Sequence, residues 1–297
     1  MNAISIQQLS KTYGRKAVLD NISLEVPKGQ VVALLGRNGV GKTTLLRMMN
    51  GLTPVNHGKI EILGLNPARE VVELRQRMGY QGEECHIYPW MTGEDAHYFM
   101  APLYRNWDAT YFQELIKQLQ VPLNQRLQDL SKGSRRKLHL ALTLAHRPEV
   151  ILLDEPLSGL DLVVRDQVIS TLIQTLTEEG RTIVLSTHEI AEIENLCDRV
   201  VLLKEHRIAL DMDRDTMAST VRRVTVRLEN PTTIVPQHAD ILAAKARGCE
   251  VEMIVRNYSE ASLPILLANL KVIDRQVEGV TLKQLFITLT EQQEEIV

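Results

Sequence analysis

Gly36-Arg37-Asn38-Gly39-Val40-Gly41-Lys42-Thr43 is the most informative segment of this chain of 297 residues. It follows the apolar run Val31–Leu35 and leads into Thr43–Asn50, whose pattern predicts a helix. A buried strand, a glycine-rich turn and a helix in this order match the phosphate-binding loop G-x-x-x-x-G-K-[ST]. The alternative is a glycine-rich turn without a ligand, which the strand–loop–helix context disfavours.

The residue types of this loop suit a triphosphate. Glycines allow tight curvature and keep side chains away from backbone N–H donors, while the following helix directs its positive end at the phosphates. Lys42 supplies a point charge for the β- and γ-phosphates, and the Thr43 hydroxyl is a magnesium ligand. The predicted nucleotide contacts of the loop are Gly36, Arg37, Asn38, Gly39, Val40, Gly41, Lys42, Thr43 and Thr44.

Two acids follow a second apolar run, Val150–Leu153. Parallel sheets place ligand chemistry at the carboxyl ends of their strands, so Asp154 is predicted to hold magnesium and Glu155 to orient or deprotonate the attacking water. A solvated pair of acids after a strand is the alternative, and the phosphate loop upstream disfavours it.

The bulk composition is that of an ordinary globular protein. A net charge of −3 gives no support for a nucleic-acid partner held by bulk charge. The three cysteines are too few and too scattered for a disulfide framework or a zinc site. No apolar run has the length of a membrane span, and the N-terminus lacks the pattern of a signal peptide. Any membrane-spanning part is therefore expected from another chain.

Strand and helix patterns alternate along most of the chain, which predicts an α/β fold with a mainly parallel sheet. Residues of about 84–147 have helical patterns, including a helix capped by Asp108. After about residue 215 the pattern changes to a small α+β domain. In that domain the predicted strands are Val221–Leu228 and Val251–Val255, and the predicted helices are Ser262–Leu270 and Leu282–Gln292.

Further segments, in order, resemble those of the ABC transporter ATPase family. Tyr13 is similar to the aromatic residue that stacks on adenine. Leu130-Ser131-Lys132-Gly133-Ser134 resembles the signature L-S-G-G-Q, and Ser158-Gly159-Leu160-Asp161 resembles the D-loop. His188 corresponds to the switch histidine. The resemblance covers residues 1–215 and implies contacts to nucleotide from Tyr13, Ser131, Gly133, Ser134, Asp161 and His188.

The sequence departs from the family pattern at two places. The spacing favours Glu83 as the counterpart of the Q-loop glutamine, with Gln81 as the alternative, and a carboxylate at this position can also bind magnesium. Lys132 and Ser134 replace a glycine and the glutamine of the signature, which puts efficient hydrolysis in question.

Two other segments are expected to be exposed. Arg135, Arg136 and Lys137 are expected on a solvated helix face. Tyr88, Pro89 and Trp90 are expected in an exposed patch rather than in the core.

The resemblance implies a P-loop ABC cassette at 1–215, with antiparallel N-terminal strands and a helical subdomain at about 84–147, and an accessory domain at 216–297. It implies an ATPase that uses ATP and Mg²⁺ and couples dimerisation, with itself or another ABC ATPase, to export by separate transmembrane permease subunits. The expected location is peripheral, on the cytoplasmic face of the inner membrane. The alternatives are a soluble ABC-type ATPase acting on ribosomes or DNA, and a nucleotide-sensing module without turnover.

Overall fold

The computed structural model describes residues 2–84, 87–188, 190, 193–194, 196–267 and 270–291. The chain divides into two compact units, Met1–Asp211 and Met212–Val297. None of the described helices combines the length and the hydropathy that crossing a bilayer requires.

A six-stranded sheet forms the centre of the first unit, in the order β5-β6-β7-β3-β8-β9. Its strands are β3 (Val31–Leu35), β5 (Met78–Gln81), β6 (Val150–Asp154), β7 (Thr182–Thr187), β8 (Arg199–Lys204) and β9 (Arg207–Asp213). The neighbours from β5 through β8 pair in parallel. Every residue of β3, β6 and β7 is buried, which explains the apolar run that each strand contains. The predicted parallel core is confirmed.

A second, antiparallel sheet in the first unit has the order β2-β1-β4. It comprises β1 (Asn2–Tyr13), β2 (Lys16–Pro27) and β4 (His57–Ile62). The buried side chains of β1 and β2 join those of β3 and of the first helix in one hydrophobic cluster. This sheet is the predicted set of antiparallel N-terminal strands.

The helices of the first unit are α1 (Lys42–Met49), α2 (Val71–Arg77), α3 (Gly93–Met100), α4 (Ala109–Leu119), α5 (Lys132–Leu144) and α6 (Leu162–Glu179). Asp108 caps α4 as expected, because its carboxylate accepts a hydrogen bond from the Tyr111 N–H at 2.8 Å. Ser131 likewise caps α5, through the Ser134 N–H at 3.0 Å.

The second unit contains a four-stranded antiparallel sheet in the order β11-β12-β10-β13. Its elements are α7 (Arg214–Thr220), β10 (Arg222–Leu228), β11 (Ile241–Arg247), β12 (Glu250–Val255), α8 (Leu263–Leu266), β13 (Val272–Gly279) and α9 (Leu282–Glu291). One face of the sheet packs on Leu263, Leu266 and Leu267. Strands β11 and β13 escaped prediction. Both are edge strands, β13 has mostly polar and exposed residues, and three of the seven residues of β11 are alanines, which carry little strand preference.

Of the two helices predicted in the second unit, one is shorter than expected and one agrees with the expected position. Ser262–Leu270 was expected to be one helix, but only Leu263–Leu266 is helical, and Ala268 and Asn269 lie outside the described residues. Leu282–Glu291 agrees with the predicted final helix, whose last residue, Gln292, also lies outside the described residues.

His146 illustrates how tightly α5 is held against the sheet. It is 2% exposed, its Nε2 lies 3.3 Å from the Met78 carbonyl oxygen, and its ring stacks on Tyr104 with centroids 4.1 Å apart. Burial lowers the pKa of His146 to about 4, although the contact with Met78 acts in the opposite direction. The imidazole is therefore neutral in the folded protein at pH 5.

We predict that acidification destabilises the first unit through His146. In the unfolded chain this histidine titrates near pH 6.5, so between the two pKa values the unfolded state binds more protons. Lowering the pH from 7 to 5 should reduce the free energy of unfolding by about 2 kcal/mol. Urea unfolding followed by tryptophan fluorescence reads the first unit, because both tryptophans lie in it. His146→Gln should lose this part of the pH dependence, whereas His57→Gln, at an exposed site, should keep it.

Candidate nucleotide-binding site

The carboxyl ends of four parallel strands meet at one edge of the central sheet. The phosphate loop follows β3, Gly82 and Glu83 follow β5, Glu155 follows β6, and His188 follows β7. Because β6 and β7 pair in register, Asp154 lies opposite Ser186. Residues far apart in sequence are thus gathered where a parallel sheet binds its ligand.

The phosphate loop has the backbone that an anion cradle needs. Gly41 has a φ of 119°, and a Cβ there would lie 2.6 Å from the Val18 carbonyl oxygen, so this position requires glycine. The ammonium of Lys42 is 5% exposed and donates to the Gly36 carbonyl oxygen at 2.7 Å. Helix α1 begins at Lys42, so its N-terminal amides and Lys42 are placed to bind one anion together.

The two acids have different surroundings. Asp154 is 1% exposed and accepts a hydrogen bond from the Ser186 hydroxyl at 2.6 Å through Oδ1, while its Oδ2 accepts none from the described residues. Glu155 has Oε1 3.3 Å from Lys42 Nζ and Oε2 2.9 Å from His188 Nδ1. The geometry of the contact with Lys42 is that of an ion pair rather than of a directed hydrogen bond.

Two cavities adjoin at Thr43 and Glu83, which line both. The first, of about 510 Å³, is lined by Val18, Asn38, Gly39, Gly41, Lys42, Thr43, Thr44, Glu83, Glu155, Ser158 and His188. The second, of about 580 Å³, contains Asp154 together with Arg47 and Tyr80. Thr43, Glu83 and Asp154, the three predicted magnesium ligands, all line the second cavity. The unpaired buried oxygen of Asp154 and the hydroxyl of Thr43 fit a hard, oxygen-binding cation such as Mg²⁺.

Glu83 and Gln81 are placed differently by the structure. Gln81 is 2% exposed in β5, and its Nε2 donates to the Arg136 carbonyl oxygen at 3.3 Å. Glu83 lies beyond the strand and lines both cavities. This placement favours Glu83 as the residue that faces nucleotide and cation.

Other predicted contacts lie outside the lining of the two cavities. They are Tyr13, Gly36, Arg37, Val40, Ser131, Gly133, Ser134 and Asp161. Tyr13 is 53% exposed, with the Lys11 ammonium 5.0 Å from its ring centroid. Asp161 accepts a hydrogen bond from the Val164 N–H at 2.9 Å and so caps α6. Sequence reasoning missed Val18 in the first cavity, because this apolar residue belongs to no motif. Ser158 also lines this cavity, whereas the sequence placed it in the D-loop without predicting that it contacts nucleotide.

The signature segment packs against the D-loop of its own chain. Gly133 adjoins Val164, whose Cγ1 would lie 3.3 Å from a Cβ on Gly133. Lys132 extends over Gly159, where a Cβ would lie 2.9 Å from the ammonium nitrogen. Lys132 thus lies beside the D-loop, and both glycines leave room for this close approach.

The prediction that Arg135, Arg136 and Lys137 form a solvated face of α5 is wrong for two of these three residues. Arg135 is exposed, but Arg136 is 7% and Lys137 is 6% exposed. Burial lowers the pKa of Lys137, whose ammonium donates to Gln167 Oε1 at 3.1 Å. The expected exposed patch is present, because Tyr88, Pro89 and Trp90 all face solvent.

The fold and the site define a phosphate-loop protein that binds a nucleotide at the edge of a parallel sheet. A profile of the ABC transporter family matches residues 19–158. The aliphatic sulfonates import ATP-binding protein SsuB of Pectobacterium atrosepticum is 33% identical over 80% of this chain and 92% of its own length. The linearmycin resistance ATP-binding protein LnrL of Bacillus subtilis is 26% identical over 97% and 98%.

A solved structure of an ATP-binding subunit of an ABC transporter is 27% identical, covers 72% of this chain and 91% of its own, and has a TM-score of 0.65. The chain belongs to the family of ABC transporter ATP-binding proteins. It is accordingly an ATPase whose nucleotide is ATP and whose cation is Mg²⁺.

We predict that Lys42→Met weakens binding of MgATP by roughly 10- to 100-fold, because a buried charge-assisted contact to phosphate is lost. Isothermal titration calorimetry with ATP and magnesium measures the effect. Lys117→Met, which removes an exposed lysine of α4, is the matched control. An unchanged affinity in the Lys42 variant would contradict the assignment of the loop.

Proposed function

We propose that this chain is the ATP-hydrolysing subunit of an exporter, in which two ATPase chains close on ATP and drive separate transmembrane permease subunits. The convergence of Lys42, Glu155 and His188 on one cavity carries this proposal. The signature segment of the same chain stays outside that cavity, so the site is complete only when a second copy, or another ABC ATPase, supplies it.

Binding of ATP is assigned to the phosphate loop. Backbone amides of the phosphate loop, of which Asn38, Gly39 and Gly41–Thr44 line the first cavity, are proposed to surround the β- and γ-phosphates, and Lys42 neutralises their charge. Thr43, Asp154 and Glu83 are the ligands for magnesium, which supplies charge stabilisation to the transferred phosphoryl group. Exposed Tyr13 stacks on the adenine.

Glu155 is proposed to orient the attacking water and accept its proton. Its carboxylate lies between Lys42 and His188, so both oxygens have a fixed direction within the cavity. His188 contacts Glu155 through Nδ1 and lines the same cavity, so its ring is proposed to meet the γ-phosphate there. The catalytic set is therefore Glu155, His188 and Lys42.

Across the dimer, the partner copy is proposed to contribute Ser131, Gly133, Ser134 and Asp161. Helix α5 begins at this segment, and the positive end of its dipole suits a γ-phosphate. Ser134 replaces the usual glutamine but offers a hydroxyl, and Lys132 adds a positive charge nearby. Binding energy of ATP then becomes association energy between the two chains.

Contact with the permease is assigned to an aromatic surface patch of Tyr88, Trp90 and Phe99. Tyr88 stacks on Trp90 with centroids 5.4 Å apart and meets the edge of Phe99 at 6.3 Å. All three rings are at least half exposed. Exposed and preorganised aromatic side chains are typical anchors of protein interfaces.

Export and a peripheral position at the cytoplasmic face of the inner membrane are proposed from similarity. The likeness to a resistance protein extends over both units of the chain, whereas the likeness to an import protein covers 80% of it. The net charge of −3 gives no basis for a nucleic-acid partner.

We predict that Glu155→Gln binds MgATP with little change but lowers turnover by about 10²- to 10⁴-fold, because the proton acceptor is lost. Phosphate release at saturating ATP and gel filtration with ATP and magnesium are the measurements. The variant should elute as an ATP-stabilised dimer. Glu114→Gln, at an exposed position of α4, is the control. Undiminished phosphate release by the Glu155 variant would remove it from the catalytic set.

A separate experiment tests the permease partner. Affinity purification of the tagged chain from detergent-solubilised cells, followed by mass spectrometry, should recover a polytopic membrane chain. Trp90→Ala should weaken binding to the membrane chain by about 2 kcal/mol and so reduce the amount of that chain recovered. Ile265→Ala, an exposed change in the second unit, should not. Recovery of ribosomal proteins instead would support the soluble ATPase, and an absence of ATP turnover with the permease present would support the sensing module.

A further inference from the structure

Arg136 is a buried cation in a position where the family resemblance assigns no function. It lies in the second turn of α5, and its side chain is 7% exposed. Burial lowers the pKa of Arg136, and the carboxylates of Glu83 and Glu155 oppose this shift. Removing a guanidinium from water is costly, so its hydrogen bonds must offset that cost.

Three segments that are distant in sequence meet at this arginine. Its Nη1 donates to the Glu155 carbonyl oxygen at 2.7 Å, and its Nη2 donates to the Glu83 carbonyl oxygen at 3.4 Å. Its own carbonyl oxygen accepts from Gln81 Nε2 at 3.3 Å. Arg136 thus connects the signature helix, the end of β5 and the proposed catalytic glutamate.

The backbone of Glu155 is of a kind that needs such support. Its φ is 49°, a left-handed conformation that costs free energy in a residue other than glycine. On one side its N–H donates to Ser186, and on the other its carbonyl oxygen accepts from Arg136. Because both peptide groups of Glu155 are held by hydrogen bonds, the direction in which its side chain points is fixed.

The planar guanidinium suits this task better than an ammonium would. It presents donors at fixed angles, so one group reaches two carbonyl oxygens from different segments. Lysine carries the same charge on a single, rotatable nitrogen and does not reproduce that fork. A shift of the Glu83 segment therefore alters the bond that orients Glu155.

We propose that Arg136 is a positioning residue that couples the Glu83 segment to Glu155 and thereby sets the rate of ATP cleavage without contributing to ATP affinity. The proposal rests on the proposed function, since it assumes that Glu155 acts on the attacking water. Arg136 lies outside the linings of both cavities, so its role is to position other residues of the site and not to contact ATP.

The test compares Arg136→Met, Arg136→Lys and Arg136→Gln with Arg135→Met in the full-length chain. Arg135 is the adjacent, exposed arginine of the same helix, and none of the described residues forms an ion pair with it. Phosphate release gives kcat and KM, and calorimetry gives the affinity for MgATP. Arg136→Met should lower kcat by about tenfold or more, while KM and affinity stay within about threefold. Arg136→Lys should recover part of kcat, and Arg135→Met should match the unmodified chain.

A second readout separates positioning from general damage. In the Glu155→Gln background, Arg136→Met should still give the ATP-stabilised dimer, because ATP binding and the signature helix are intact. If Arg136→Met fails to fold, the lysine and glutamine variants, whose thermal unfolding is checked first, provide the comparison. The proposal is overturned if folded Arg136 variants keep kcat, or if kcat and affinity fall together. An unmodified chain that binds MgATP but never turns it over would instead reject the proposed function.

Discussion

The site depends on three buried parallel strands that end at the same level of one sheet. Strand β7 lies between β3 and β6, so its Ser186 is opposite Asp154 and its Thr187 is opposite Leu35. The Ser186 hydroxyl then donates to Asp154 and accepts from the Glu155 N–H at 3.0 Å. One serine thereby fixes both acids relative to the phosphate loop, and a slip of this register by one residue would turn the acids away from it.

Charge within the site is balanced locally. The Glu155 carboxylate lies between Lys42 and His188, and the Arg136 guanidinium donates to the carbonyl oxygen of the same residue. Asp154 keeps one buried oxygen that accepts no hydrogen bond from the described part of the chain. A buried carboxylate oxygen in this state favours a cation ligand, because burial of a charged group without a partner is costly. The arrangement therefore suits an ATPase in which the bound cation and the phosphates of ATP supply the partners that these side chains lack within the described residues.

Helix α5, in the helical part of the first unit, affects the site without lining either cavity through its signature segment or Arg136. Helix α5 contributes the signature segment at its start, Arg136 in its second turn and His146 just after its end. Its position is fixed by packing of apolar residues and by the contacts of these side chains with β5. Our proposals give this helix two functions, completing the site of a partner and holding Glu155 in its own chain.

Local motifs were sufficient to predict the phosphate loop, the acidic strand end, the parallel core and the cap of α4. Each rests on neighbouring residues or on a periodicity of a few residues, and the sequence contains that information directly. Residue contacts across the fold were not accessible in the same way. Arg136 and Arg135 have the same side chain, yet one is buried against Glu155 and the other is exposed. Gln81 and Glu83 are two residues apart, yet only Glu83 lines the cavities. Strand pairing and helix packing settle these differences, because they bring together residues that are tens of positions apart.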